Sequence, residues 1–235
     1  MSTNAHTDGR RSGPALATLL ATAVAVLALA LAGGYPAQGQ GHSEDRAAAG
    51  KQGSISQQRL ALHDGMRRLW EDHITWTRLF IVSAAAGLPD APATTKRLLR
   101  NQKDIGDAIK PLYGRAAGTR LTSLLREHIL GAAELVGAAK AGDQAAVERH
   151  RVAWYRNANE IAGFLSKANP RHWPRREMRR MMREHLDLTL AEAVAHLEGD
   201  HRASIRRYDR VHRQILAMAD MLSDGIADQF PRRFR

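Results

Sequence analysis

From about residue 55 to the end of the chain, apolar residues recur three, four and seven positions apart, the spacing that puts them on one face of a helix. No stretch shows the Val/Ile/Thr-rich, period-two alternation of a strand. The helical pattern is broken at Gly87-Leu88-Pro89, Pro111 to Gly114, Gly142-Asp143, Asn169-Pro170 with Pro174, and Gly199-Asp200. These breaks predict six helices. Gly142-Asp143 and Gly199-Asp200 each set a helix-ending glycine beside an N-capping aspartate, so the helices on either side reverse over a very short loop and run antiparallel.

The chain also repeats itself. "REHILGAAELVGAAKAGD" from Arg126 lies over "REHLDLTLAEAVAHLEGD" from Arg183 without a gap, and the first helix carries a third version in Glu71-Asp72-His73. Glycine follows the histidine by fourteen residues in all three: His73 and Gly87, His128 and Gly142, His185 and Gly199. The second helices align too, "NQKDIGDAI" from Asn101 with "NANEIAGFL" from Asn157, and Gln214 takes the equivalent place in the third copy. The expectation is an all-α, six-helix bundle made of three antiparallel hairpins, at about residues 56–113, 116–169 and 174–230.

Equal distances from a turn mean equal heights on antiparallel helices. The three hairpins therefore predict one polar layer of His73, Asn101, His128, Asn157, His185 and Gln214, with Asp104 and Glu160 one turn away. The histidines lie on apolar stripes. His73 shares its face with Met66, Leu69, Trp76, Thr77 and Phe80; His128 with Leu121, Leu124, Gly131, Ala132 and Leu135; His185 with Met178, Met181, Met182, Leu188 and Thr189. If the hairpins close round a pseudo-threefold axis the histidines meet. If they stack as a solenoid, successive copies sit about 10 Å apart and do not.

The N-terminus changes the compartment. Residues 1–13 are polar and carry Arg10 and Arg11, and Pro14 to Ala32 contain no charge. Residues 1–33 read as a signal peptide or single membrane anchor, with small residues at Ala30 and Ala32 suited to cleavage, and the arginines keep that end inside. Residues 34–54, rich in Gly, Gln and Ser, read as a disordered linker to a helical domain at 55–235. The expected location is extracytoplasmic. The chain has no cysteine, which excludes disulfides, thiolate catalysis and Cys-based metal sites. Its net charge is +11, which outside the membrane favours anionic lipid or wall polymer as a partner; no aromatic-interleaved basic motif points to nucleic acid.

Three imidazoles converging with carboxylates nearby would suit a divalent metal ion such as zinc, copper or iron. The candidate metal residues are His73, His128, His185, Glu127, Glu184 and Asp72, backed by Asn101, Asn157, Gln214, Asp104 and Glu160. Asp72, Glu127 and Glu184 stand about a hundred degrees round from their histidines, better placed to orient a neighbouring helix's histidine than to share its ligand. The alternative is a hydrogen-bonded layer that fixes hairpin register. Met178, Met181, Met182, Met218 and Met221 read as core filler, Asp220 and Asp224 as arginine partners, and Trp154, Tyr155 and Trp173 as packing at the bundle's rim. The expected function is an exported binding or structural module with a metal as leading ligand. Its alternatives are a basic envelope-interaction protein and a hydrolase or transferase using the Glu/His layer.

In order, "LWEDHITWTRLFI", "RLLRNQKDIGDAIKPLYG", "LLREHIL", "WYRNANEIAGFLSKANP", "MREHLDLT" and "MADMLSDGIADQFP" resemble a family of uncharacterised bacterial helical proteins found in Bacillus-like organisms and their relatives, over about residues 60–231. Members often bear an automatic label of glycosyltransferase or, occasionally, acetylglutamate kinase. The resemblance implies a soluble helical bundle and brings no catalytic residue with it. The residues themselves oppose both labels: the chain has no strand–helix alternation, no glycine-rich phosphate loop and no Asp-x-Asp for a nucleotide sugar's metal.

Overall fold

The computed structural model describes residues 56–235. They form α1 (Gln57–Ala86), α2 (Ala91–Ala141), α3 (Gln144–Ala168), α4 (Arg175–Leu197), α5 (His201–Gln229) and a closing 3-10 turn, Pro231–Arg233. The fold is all-α, with no strand among the described residues. The expected signal segment and linker lie outside those residues. No described helix is long and apolar enough to cross a membrane.

The helix ends follow their capping residues. Ser56, Asp143 and Asp200 each accept a hydrogen bond from the backbone N–H three residues on, at 3.1, 2.9 and 2.9 Å, satisfying one orphan donor of the first turn. Gly87 and Gly142 close α1 and α2 in the left-handed conformation, with φ of 68° and 72°.

The helix count is five where six were expected, because the chain resumes its helix directly after Gly114. Gly114 alone is non-helical inside α2, with φ 86° and ψ 163°, and Pro111 precedes it. That single residue folds α2 back on itself. A Cβ added to Gly106 would lie 2.6 Å from the carbonyl oxygen of Gly118, and one added to Gly118 would lie 2.5 Å from that of Gly106. In a straight helix those residues would be about 18 Å apart.

The helices then close into a ring. Asp72 pairs with Arg97 at 2.9 Å and Asn101 reaches Leu69, which sets α1 antiparallel to the first half of α2. Asn157 meets His128 and Leu124, which does the same for α3 and the second half of α2. α5 returns along α1, where Arg59, Arg67 and Glu71 meet Asp224, Asp220 and His212 in antiparallel order. The open stack is thereby excluded. Ile74, Leu124, Ile161, Leu186 and Ile215, one from each helix, are at most 1 % exposed and hold the centre.

Candidate functional site

His73, His128 and His185 come from α1, the second half of α2, and α4, and are 3, 4 and 4 % exposed. The rings of His73 and His185 lie 5.8 Å apart, centroid to centroid. Trp154 stacks on His128 at 5.1 Å and donates its Nε1–H to the His128 carbonyl; Trp70 meets His73 edge-on at 5.7 Å. Trp154 is thus part of the layer and 4 % exposed, and Trp173 is 2 % exposed; neither is a rim residue.

One hydrogen-bond pattern backs each ring. Asn157 donates from Nδ2 to the carbonyl of Leu124 at 3.1 Å, which turns its Oδ1 to within 2.9 Å of His128 Nδ1. Gln214 does the same in α5: its Nε2 donates to Met181 at 3.1 Å and its Oε1 faces His185 Nδ1 at 3.1 Å. In each case the carbonyl partner is four residues before the histidine and the amide twenty-nine after it. The first copy divides the two tasks between neighbours: Asn101 Nδ2 donates to Leu69 at 3.0 Å, and Gln102 Nε2 lies 3.2 Å from His73 Nδ1.

This division decides where the protons sit. An amide oxygen only accepts, so His128 and His185 carry their protons on Nδ1. Gln102 presents its nitrogen, whose two protons are shared among the Leu98 carbonyl at 2.9 Å, Asn101 Oδ1 at 3.1 Å and His73 Nδ1 at 3.2 Å, while its Oε1 is buried without a partner. His73 Nδ1 therefore accepts, and its proton is on Nε2. The remaining ring nitrogens are one donor and two acceptors. Such a set hydrogen-bonds more readily than it chelates, since chelation needs three lone pairs. Burial keeps all three neutral: it pushes His128 down to about 3 and His185 to about 4, and it holds His73 well below the usual histidine range, with His185 and His128 adding repulsion.

The acidic members of the expected site turn away. Asp72 is half-exposed on Arg97, exposed Glu184 pairs with Arg180 at 3.1 Å, and exposed Glu127 accepts from Ser123 at 3.0 Å. One position before a buried histidine is about a hundred degrees round the helix, towards solvent. Asp104 is half-buried and Glu160 is exposed, so neither enters the layer. Among the described residues no group of three or more His, Asp or Glu is arranged to hold a metal ion. The methionines are core, with Met178, Met181, Met182 and Met218 buried. Asp220 pairs with Arg67 at 2.7 Å and Asp224 with Arg59 at 2.9 Å.

Apolar space lies on both sides of the layer. Towards the start of α1 there is a void of about 20 Å³ lined by Met66, Trp70, Leu121, Met182, Met218 and others. Towards the turns is a chamber of about 80 Å³. Its floor is Thr77, Ala132 and Thr189, each four residues after a histidine, and Phe80, Ile81, Leu135, Val136, Trp154 and Ala193 form its walls. Next to it, Arg78 Nη1 donates to Glu192 at 2.9 Å and to Ser204 Oγ. Glu192 is 1 % exposed, and burial pushes its carboxyl up against the opposing pull of Arg78.

The outer grooves differ in charge. Between the second half of α2 and α3, a groove of about 300 Å³ carries Glu127, Glu134 and Glu160 against Arg156 and His150. Between α4 and α5, one of about 350 Å³ carries Arg210 and Arg213 against Glu184. Arg202, Arg206, Arg210 and Arg213 share one face of α5, are exposed, and make no ion pair among the described residues.

No protein-family model matches the chain, and no curated protein or solved structure matches it. What the arrangement can do is therefore read from its own chemistry. A layer of neutral imidazoles, each backed by an amide side chain, lies beneath an apolar chamber large enough for a small guest, and nothing in the chamber resembles a nucleophile with its base.

Proposed function

We propose that the protein is an exported helical-bundle binding module, built from three copies of one hairpin, that takes a small apolar ligand into the chamber above its histidine layer. The chamber itself carries this reading. Protein interiors pack to the density of organic crystals, and an apolar space of about 80 Å³ is several times the least volume that admits a single water. Half-buried Leu190 and Val194, 41 % exposed, stand at its edge, which offers a way in between α3 and α4. The histidine layer lies one helical turn below the floor of Thr77, Ala132 and Thr189 and holds it rigid through its hydrogen bonds to the amide side chains.

Xenon is the direct probe, because it enters dry apolar cavities without hydrogen bonding. The expected result is a set of NMR shifts confined to the methyl groups of Ala132, Leu135, Val136 and Ala193. Ala132→Leu, which fills the space, should abolish those shifts and raise Tm by a few degrees. Unchanged methyl signals under xenon would overturn the reading. Stoichiometric zinc, copper or iron that leaves with His128→Ala would replace it with a metal site.

A second reading is favoured by the unpaired arginine face of α5, opposite in charge to the groove beside α3. Four guanidiniums in a row suit an anionic envelope surface, by an attraction that weakens as salt rises. The two readings use different faces and are compatible.

A further inference from the structure

The two ends of the bundle differ in charge. At one end the fold-back of α2, the loop before α4, the start of α1 and the end of the chain meet. Tyr113 donates to Gln229 at 2.5 Å and packs on Trp173 and Phe230, Gln229 donates to the Ala168 carbonyl at 3.1 Å, and Ser56 donates to that of Phe234 at 2.5 Å. This end is basic. Arg115 follows the fold-back, Arg171, Arg175 and Arg176 lie in and just after the loop, and Arg232 and Arg233 come near the end of the chain; all six are exposed. None of them makes an ion pair among the described residues, and the nearby acids Asp224, Asp228 and Glu177 are tied to Arg59 and Arg180. The opposite end holds the turns at Gly87, Gly142 and Gly199, which expose Asp90, Asp143, Glu198 and Asp200 beside Lys140 and Arg202.

Folding does not ask for this placement. Arg175 and Arg176 open α4, which has no capping side chain, and a helix start carries positive partial charge that disfavours cations. The one acid of that turn, Glu177, is taken by Arg180. A cost left uncompensated inside the chain points to a partner that brings the anions. Because the six arginines come from three separate segments, they spread over an end face, and a plane meets them together. The chain also enters the domain at this end, at Ser56, so the segment read from the sequence as a signal or anchor joins the bundle on the same side.

Resting on the reading of an anionic partner, we propose that this pole docks end-on on an anionic lipid surface, with lipid phosphates answering the guanidiniums and the turns facing away. The contact is distinct from the arginine row of α5, which runs up the side of the bundle. Each guanidinium near an anionic leaflet adds to the attraction while the acids of the far pole are repelled, so the field that holds the domain also orients it.

The chain has no cysteine, so a single introduced thiol takes a label cleanly. The full chain, with a fluorophore at Ala116→Cys on the basic pole or at Ala145→Cys on the turn pole, is reconstituted with vesicles whose headgroups bear a quencher. With phosphatidylglycerol the label at 116 should be quenched and the label at 145 should not. Phosphatidylcholine, or about 1 M salt with its Debye length of about 3 Å, should remove the difference. Arg171→Gln, Arg175→Gln and Arg176→Gln together should abolish quenching at 116 and leave Tm unchanged or raised, since two cations leave an uncapped helix start. Arg202→Gln, Arg206→Gln and Arg210→Gln together should leave the quenching in place. If the α5 variant abolishes it and the pole variant does not, the pole assignment falls and an anionic partner at α5 stands. If lipid charge makes no difference at either label, both fall. Displacement of the pole by soluble polyphosphate at equal phosphate concentration would make the partner a linear polyanion and overturn the lipid.

Discussion

Gln214 shows what one side chain contributes to the layer. Its nitrogen occupies the Met181 carbonyl and its oxygen the Nδ1–H of His185, so a residue 8 % exposed is satisfied at both ends. Each buried imidazole thereby gains a fixed orientation and a fixed tautomer. Side-chain 15N spectra should find the proton on Nδ1 for His128 and His185 and on Nε2 for His73; one tautomer shared by all three would contradict the amide assignments. The three histidines were legible in the sequence because each keeps the same distance from a turn glycine. Gln102 was not, since matching Asn101 to Asn157 by letter hides that the histidine's partner lies one position further on. Glu127 and Glu184 misled in the opposite way: adjacency in the chain brought them near the histidines on paper, while a hundred degrees of helix rotation sends them to solvent.

Among the elements, α2 is the one whose shape depends on contacts that no local pattern announces. Pro111 and Gly114 signal a break, yet the close approach of Gly106 to Gly118 depends on the two arms meeting after the fold-back. Each arm's missing side chain makes room for the other's backbone, and carbonyl oxygens cannot swing aside as a flexible side chain can. Gly118→Ala should therefore lower stability by about 2 kcal/mol or more, beyond anything its helix propensity would return. Urea denaturation measures this, and a neutral result would mean that the arms are further apart than described. The capping pairs at residues 142–143 and 199–200 were fully legible, because their bonds are made within four residues. Arg78, Glu192 and Ser204 were not, because they join α1, α4 and α5 only when the ring closes.

For the molecule as a whole, the buried layer makes folding sensitive to acid. The folded-state affinity of each histidine for a proton lies below its ordinary value, so above about pH 6.5 neither folded nor unfolded chains bind the proton and stability is level. As pH falls from 6.5 towards about 4 for His185 and about 3 for His128, the unfolded chain takes up protons that the fold excludes. The loss approaches about 1.4 kcal/mol per pH unit for each histidine, or about 4 for the three. Glu192, with its carboxyl raised, acts in the opposite sense, but it is one group against three. By pH 5 the three together remove up to about 6 kcal/mol, comparable with the lower end of the about 5–15 kcal/mol typical of a domain. Urea midpoints at pH 8, 7, 6 and 5 should be level at first and then fall steeply; a flat series would show that the imidazoles are already charged or exposed in the native state.

The closure of the ring is sealed by the Ser56 hydroxyl, which donates to the carbonyl of Phe234 at 2.5 Å. The start and the finish of the helical domain are therefore neighbours. A chain with adjoining ends can be rejoined there and reopened elsewhere, and the exposed turn between Gly142 and Asp143 is the natural place. A circular permutant that begins at Asp143, passes through a short linker from Arg235 to Ser56 and ends at Gly142 retains every pairing of the layer. Which hairpin comes first in the polypeptide is a matter of synthesis, and the folded core is indifferent to it.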